Sequence, residues 1–204
     1  SSLSNNSAKL FPRRMKFLTL LPLLAQVSSG LIPTVTIAPG VNLPMVNLGT
    51  GSGQKGDVVN ATLLWIAAGG RGFDTAYDYE DQTSIAQGLK ASHVKMTEIF
   101  ITTKVPCGSY DEAAQHVDDN LKELSVTATD LLLIHSDRPF SPPYDCNISE
   151  TWRALEDAKK AGKTRAIGVS HFNAQEMASL TSKPSVNQCS LSVMHHDDVT
   201  IKYV

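Results

Sequence analysis

The stretch Gly72-Phe73-Asp74-Thr75-Ala76-Tyr77-Asp78-Tyr79 delivers a carboxylate and then two phenols just past a short β-prone step. A phenol holds its proton up to a reference pKa of about 10, so it takes part in proton transfer near neutrality when a cation or a hydrogen bond lowers that value. Chemistry at Tyr79 therefore needs a partner from elsewhere in the chain. By itself the segment reads as a solvated turn. Polar groups closing other apolar runs change that reading: Lys104 follows Ile99 to Thr103, His135 follows Asp130 to Ile134, Ser170 and His171 follow Thr164 to Val169, and Gln188 closes Pro184 to Gln188. Singly, Lys104 would be a surface lysine and His135 a satisfied core or rim histidine. Their serial recurrence at strand ends is what favours a site.

The elements that position these groups alternate in type. Thr34 to Ile37 and Val41 to Pro44 flank Pro39-Gly40 as a hairpin. Met45 to Leu48 reads as a first buried strand that runs into the glycine-rich segment 49–56, and a helix spans Asp57 to Ala68 before Gly69-Gly70 stops it. Glu98 to Thr103 is the next strand, after which Ser109 and Glu112 form a capping box for a helix with Ala113, Val117, Leu121 and Leu124 on one face. Asp130 to Ile134 is apolar enough for a strand covered on both faces. A helix from Asn147 to Ala161, a strand from Thr164 to Val169, a short helix from Ala174 to Leu180 and a strand entry at Pro184 to Gln188 complete the pattern. Repeated strand-helix units mean a parallel sheet, either open and doubly wound or closed as a (β/α)8 barrel. The segment 49–56 lacks the G-x-G-x-x-G spacing of an open-sheet dinucleotide site. Polar residues at the C-terminal ends of successive strands favour the barrel.

Gly72-Phe73-Asp74-Thr75-Ala76 with Tyr79, the run Ile99 to Lys104, the run Asp130 to His135, Gly162 to Ser170 and Val186-Asn187-Gln188 resemble, in order, the signatures of the aldo-keto reductase family. The resemblance covers roughly Val35 to Gln188. It implies a (β/α)8 barrel with an N-terminal hairpin, here incomplete with about six βα units, and reduction of aldehyde or ketone substrates with NADP(H). Position by position, Tyr79 matches the proton donor, Lys104 the cation that lowers its pKa, Asp74 the carboxylate paired to that lysine, and His135 the group that orients the substrate carbonyl. Gly49, Thr50, Asp74, Ser170, His171 and Gln188 match cofactor-binding positions. The physics is compatible, because hydride arriving at a carbonyl carbon leaves negative charge on oxygen, which a phenol backed by an ammonium and a neutral imidazole can meet.

Departures from the family pattern carry expectations of their own. Glu80-Asp81-Gln82 replaces an Asn-Glu pair, His171 stands where the family has Asn, and Ser136 to Pro139 makes part of the substrate wall polar. The chain ends at Val204, soon after the sixth strand, while Ile201 to Val204 continues an apolar helical pattern. A fragment of a longer chain is expected, with a non-catalytic cofactor-binding or interaction module, or an inactive fragment, as the alternative to an enzyme.

The first acidic residue is Asp57, and Arg13-Arg14-Met15-Lys16 precedes the short apolar run Phe17 to Ala25 and the small residues Ser28, Ser29 and Gly30. Residues 1–30 thus read as a targeting or leader segment, too short to span a membrane, ahead of a single oxidoreductase domain over residues 31–204. Entry into the secretory pathway is expected, with a cytoplasmic or organellar location as the alternative. In that pathway Asn60-Ala61-Thr62 and Asn147-Ile148-Ser149 would be glycosylation sequons. A formal net charge of −2 offers no basic patch for nucleic acid. Cys107, Cys146 and Cys189 lack CxxC spacing, are odd in number, and read as free thiols. The run His195 to Asp198 is not expected to bind metal, because adjacent histidines cannot share one face of a strand or helix.

Overall fold

Strand alternation sorts this chain into an outer apolar face and an inner face that is apolar toward the hairpin and polar at the strand ends. The structure, a computed structural model, describes residues 32–51, 56–136, 146–192 and 196–203. The leader reading of residues 1–30, most of the polar substrate wall after Ser136, and His195 lie outside the described residues. Strands β1 (Thr34–Ala38) and β2 (Val41–Pro44) pair antiparallel as the expected hairpin, with Gly40 at φ +75° in its turn.

Six parallel strands follow in the spatial order β3-β4-β5-β6-β7-β8, the same as their order in sequence. They are β3 (Asn47–Gly49), β4 (Gly72–Asp74), β5 (Phe100–Val105), β6 (Thr129–Ile134), β7 (Thr164–Ser170) and β8 (Asn187–Gln188). Between and after them run α1 (Val58–Ala67), α2 (Gln82–Ser92), α3 (Tyr110–Leu124), α4 (Ile148–Lys160), α5 (Ala174–Ala178) and α6 (Asp198–Tyr203). Sequential parallel pairing with a helix after most strands is the (β/α)8 arrangement, of which the described residues hold six strands.

The capping box read from the sequence is present, and α4 is capped as well. Ser109 accepts from the backbone N–H of Glu112 while Glu112 reaches back to the Ser109 N–H at 3.0 Å, and Asn147 accepts from the N–H of Glu150. Other expectations need correction. Met45 and Val46 are 67% and 54% exposed and precede β3 instead of forming a buried strand. Lys104 and Ser170 lie within β5 and β7 instead of after them. Helix α2 was not legible, since its buried side is the sparse set Gln82, Ile85, Gly88 and Leu89. Gly88 is required there by packing: a Cβ would lie 2.6 Å from Cβ of Thr62 on α1.

The three-thiol reading is also corrected. Cys107 and Cys146 form a disulfide across a sequence separation of 39, and Cys189 is the free, exposed cysteine. The two partners lie on either side of α3 and β6, so nothing in their spacing reveals that the fold brings them together.

Two apolar clusters fill the space between sheet and helices. Val105, Leu132, Ile134, Ile167 and Val169 meet Val117 of α3 and Trp152 and Leu155 of α4, and Phe73 and Ile101 meet Ile85 and Leu89 of α2. Phe100, Leu131, Leu133 and Ala166 point the other way and are capped by Val41 of the hairpin. On β5 the period of two therefore places Phe100, Thr102 and Lys104 inside and Ile101, Thr103 and Val105 outside. On β6 the same period carries the inner row from Leu131 and Leu133 to His135.

Candidate active site

The hairpin closes one end of the inner face, and the polar residues gather at the other. Parallel register aligns Gly49 with Asp74 and Asp74 with Thr102, and Lys104 with Leu133, so Lys104 stands one inner-row step beyond Asp74 toward the strand ends. Strand β4 is held in place from outside by Trp65 of α1, whose indole N–H donates to the Gly72 carbonyl at 2.9 Å. Past β4 the chain makes a 3-10 turn over Tyr77–Tyr79 and leaves it through Glu80 in the left-handed region, φ 55°.

Lys104 is 2% exposed, and its ammonium is hydrogen-bonded by Oδ1 of Asp74 and, at 3.0 Å, by the Thr75 carbonyl. A buried ammonium needs such a carboxylate, because stripping water from an unpaired charge is costly. The other carboxylate oxygen, Oδ2, accepts from the side-chain amide of Gln188, which reaches Asp74 from β8. The Tyr79 hydroxyl lies 3.4 Å from His135 Nε2, and the two rings are edge-on at 75°. The Lys104 ammonium lies 5.1 Å from the centroid of the Tyr79 ring. His135 is 6% exposed and its Nδ1 meets Oδ2 of Asp78 at 2.9 Å. Gly51 lies flush against the same phenol, where a Cβ would come within 2.3 Å of Tyr79 Cζ.

These groups surround one cavity of about 580 Å³ whose lining includes Asp74, Tyr79, Lys104, His135, Ser170 and Gln188. The structure thus brings together every side chain singled out from the sequence for catalysis. Gly49 and His171 line the same cavity, while Thr50 sits beside it with its backbone N–H and hydroxyl on the Asp74 carbonyl. The Ser170 hydroxyl donates to the Gln188 carbonyl at 2.9 Å, and the backbone N–H of His171 donates to the same carbonyl at 3.0 Å. His171 takes φ 61°, a conformation in which Asn, Asp and His are enriched. That shared tolerance explains how histidine fits where the family has asparagine.

Sequence reasoning missed a buried support behind Lys104. Asn120 of α3 donates to the Lys104 carbonyl at 3.2 Å, Gln82 donates to Asn120 at 2.6 Å, and Thr103 donates to Gln82 at 2.8 Å. Asp81 accepts from the Thr75 hydroxyl at 2.8 Å. The Glu80-Asp81-Gln82 departure therefore ties α2 and α3 to the strand that carries the lysine. Among the described residues no group of three His, Cys, Asp or Glu side chains could hold a metal ion, and His196 instead faces Asp198 at 3.3 Å.

One electrostatic expectation is reversed. Burial, followed by the charges of Asp74, Asp81 and Asp78, pushes the Tyr79 phenol above its usual value of 10.0. Lys104 does not offset this, because Asp74 neutralises its ammonium and the ammonium faces the ring instead of approaching the hydroxyl. A raised phenol pKa keeps the donor form intact to higher pH. We expect the phenolate absorbance assigned to Tyr79, as the difference between wild type and Tyr79→Phe, to develop above pH 10 in the cofactor-free protein. Development below pH 9 would show that the lysine dominates after all.

A phenol, an ammonium and an imidazole converging on the inner face of a parallel βα sheet define a barrel protein equipped to protonate an oxygen that gains negative charge. The chain belongs to the aldo/keto reductase family, whose family model matches residues 45–203. It is 33% identical over 179 residues to an aldo-keto reductase of Bombyx mori, covering 78% of this chain and 58% of that protein. A glyoxal reductase of Bacillus subtilis is 34% identical over 167 residues, again with 78% and 58% covered. The crystal structure of the Bombyx mori aldo-keto reductase in complex with NADP superposes with a TM-score of 0.75 at 29% identity, over 84% of this chain and 62% of that one. The chain thus spans roughly three-fifths of the length of these relatives.

Proposed function

We propose that this protein reduces aldehyde or ketone carbonyls to alcohols with NADPH. The observation that carries the reading is the convergence of Tyr79, Lys104, Asp74 and His135 on one 580 Å³ cavity. NADP(H) fits the donor set beside these groups: Gln188 donates its amide N–H to Asp74 and keeps an oxygen to accept from a carboxamide, with Ser170 and His171 adjoining it. When bound, NADPH supplies the hydride that converts the carbonyl carbon to an alcohol carbon. Tyr79 gives its proton to the oxygen, Lys104 compensates the charge of Asp74 beside it, and His135 orients the carbonyl from the far side of the phenol. Titration of NADPH by its fluorescence, followed by NADPH oxidation with small aldehydes and ketones, tests this reading. Saturable binding with no carbonyl-dependent oxidation would move the protein to the non-catalytic, cofactor-binding alternative.

We also infer that the protein enters the secretory pathway through Met15 to Gly30. The Cys107–Cys146 disulfide supports this, since such bonds persist in oxidising compartments, and so does the exposure of Asn60 and Asn147 in their sequons. Asn147 caps α4 through its Oδ1, leaving Nδ2 for a glycan. Among the described residues no helix is long and apolar enough to cross a membrane. In eukaryotic cells expressing the chain with its own N-terminus, the mature protein is expected to begin near Leu31, carry a Cys107–Cys146 linked peptide and lose mass on glycan removal. Intact Met15 on reduced, glycan-free protein would rule out export.

A further inference from the structure

Asp78 has so far entered only as a charge near Tyr79, yet it touches His135. The 3-10 turn over Tyr77–Tyr79 presents two consecutive side chains to the two nitrogens of one imidazole. Asp78 Oδ2 lies 2.9 Å from His135 Nδ1, and the Tyr79 hydroxyl lies 3.4 Å from His135 Nε2. We propose that Asp78 is a positioning residue that fixes His135 as the Nδ1–H tautomer, so that Nε2 donates to a substrate oxygen only when the ring carries both protons.

The argument is one of donors and acceptors. An ionised carboxylate can only accept, so the hydrogen of the 2.9 Å contact sits on Nδ1. The hydrogen bond made by one ring nitrogen sets the state of the other, and in the neutral ring Nε2 is left as a lone pair facing the phenol. Tyr79 is then the donor of that contact and His135 the acceptor. Among the described residues, Lys104 from β5 is engaged by Asp74 from β4, and the Asp78 carboxylate contacts Nδ1 of the ring. Burial of His135 and its edge-on packing against Tyr79 hold the ring in this orientation.

The consequence is a reduction that depends on the charge of His135. With both nitrogens protonated, Nε2–H can donate to the carbonyl oxygen alongside Tyr79. As pH rises and the second proton leaves, that donor disappears while Tyr79 keeps its own proton. The rate should therefore fall as the ring loses its second proton, at whatever pH NMR finds that loss.

The test has two arms, and only the kinetic one rests on the reductase reading. Long-range nitrogen-proton NMR of the protein reports the His135 tautomer directly once the ring is neutral. Wild type should show Nδ1–H, Asp78→Asn should keep it because its amide oxygen still accepts, and Asp78→Leu should lose it. In NADPH-dependent carbonyl reduction, wild-type kcat/KM should drop on the order of tenfold across the His135 titration seen by NMR, and in Asp78→Leu this limb should vanish. A purely structural role for Asp78 would lower all rates without removing the limb. An Nε2–H tautomer in wild type, or an unchanged tautomer in Asp78→Leu, overturns the proposal whether or not the protein reduces carbonyls. Absence of turnover in wild type with the Nδ1–H tautomer intact would count against the reductase reading and leave the assignment of Asp78 standing.

Discussion

Tyr79→Phe should lower carbonyl-dependent NADPH oxidation by about 10²–10⁴-fold, the range associated with loss of a positioned general acid. The substitution removes one oxygen and keeps the ring, so the contact with Gly51 and the edge-on packing against His135 survive. The oxygen that is lost lies at the cavity wall 3.4 Å from His135 Nε2, and Lys104 and Asp74 sit too far inside their own pair to take its place. Affinity for NADPH should stay within about a factor of three, because the wall formed by Ser170 and Gln188 is untouched. The measurement compares wild type and variant at matched cofactor saturation. Equal rates would mean that the Asp74–Tyr79 stretch is not where the chemistry occurs.

The second large effect is expected from Lys104→Met, and it should register in both stability and rate. Lys104 is buried and Asp74 is 18% exposed at its side chain, so methionine leaves a mostly buried carboxylate with the Gln188 amide as its remaining side-chain partner. Breaking a buried pair in this way costs about 3–5 kcal/mol, and the partial exposure of Asp74 places the expectation at the lower end. Activity should fall as well, by on the order of 10²-fold. Burial and three nearby carboxylates already raise the Tyr79 phenol, and removing the counter-charge to Asp74 would raise it further, making its proton harder to give. Denaturant unfolding and turnover measured on the same preparation separate the two effects. A variant as active as wild type would show that the lysine is a structural ion and no more.

Much of this arrangement was legible in the residues, for identifiable reasons. The Ser109 capping box and the strand-helix rhythm depend on local chemistry, which a sequence displays directly. What was not legible depended on tertiary proximity. Helix α2 hides its inner side in a glycine and a glutamine, because Gly88 fits against Thr62 and Gln82 is spent on Asn120. The 3-10 turn, which no apolar pattern announces, aims Asp78 at His135. The direction of the Tyr79 shift is hidden from the sequence for the same reason. One lysine was visible as a match to a family position, whereas the gathering of Asp74, Asp78 and Asp81 around the phenol appears only when the turn is folded.

The Cys107–Cys146 bond makes the middle of the chain a covalent loop that begins just past β5, encloses α3, β6 and His135, and closes at the start of α4. Unfolding of this sheet is therefore unequal between its centre and its flanks. The β3–β4 side, with Asp74 and Tyr79, and the β7–β8 side, with Ser170 and Gln188, can peel away independently, whereas the segments bearing Lys104 and His135 stay tethered to each other through any such opening. The parts of the site that would grip a cofactor and carry the phenol thus lie on margins free to breathe, whereas the imidazole lies within the closed loop and the ammonium just before it, where the cross-link keeps the local concentration of ends high and shortens the search on re-forming.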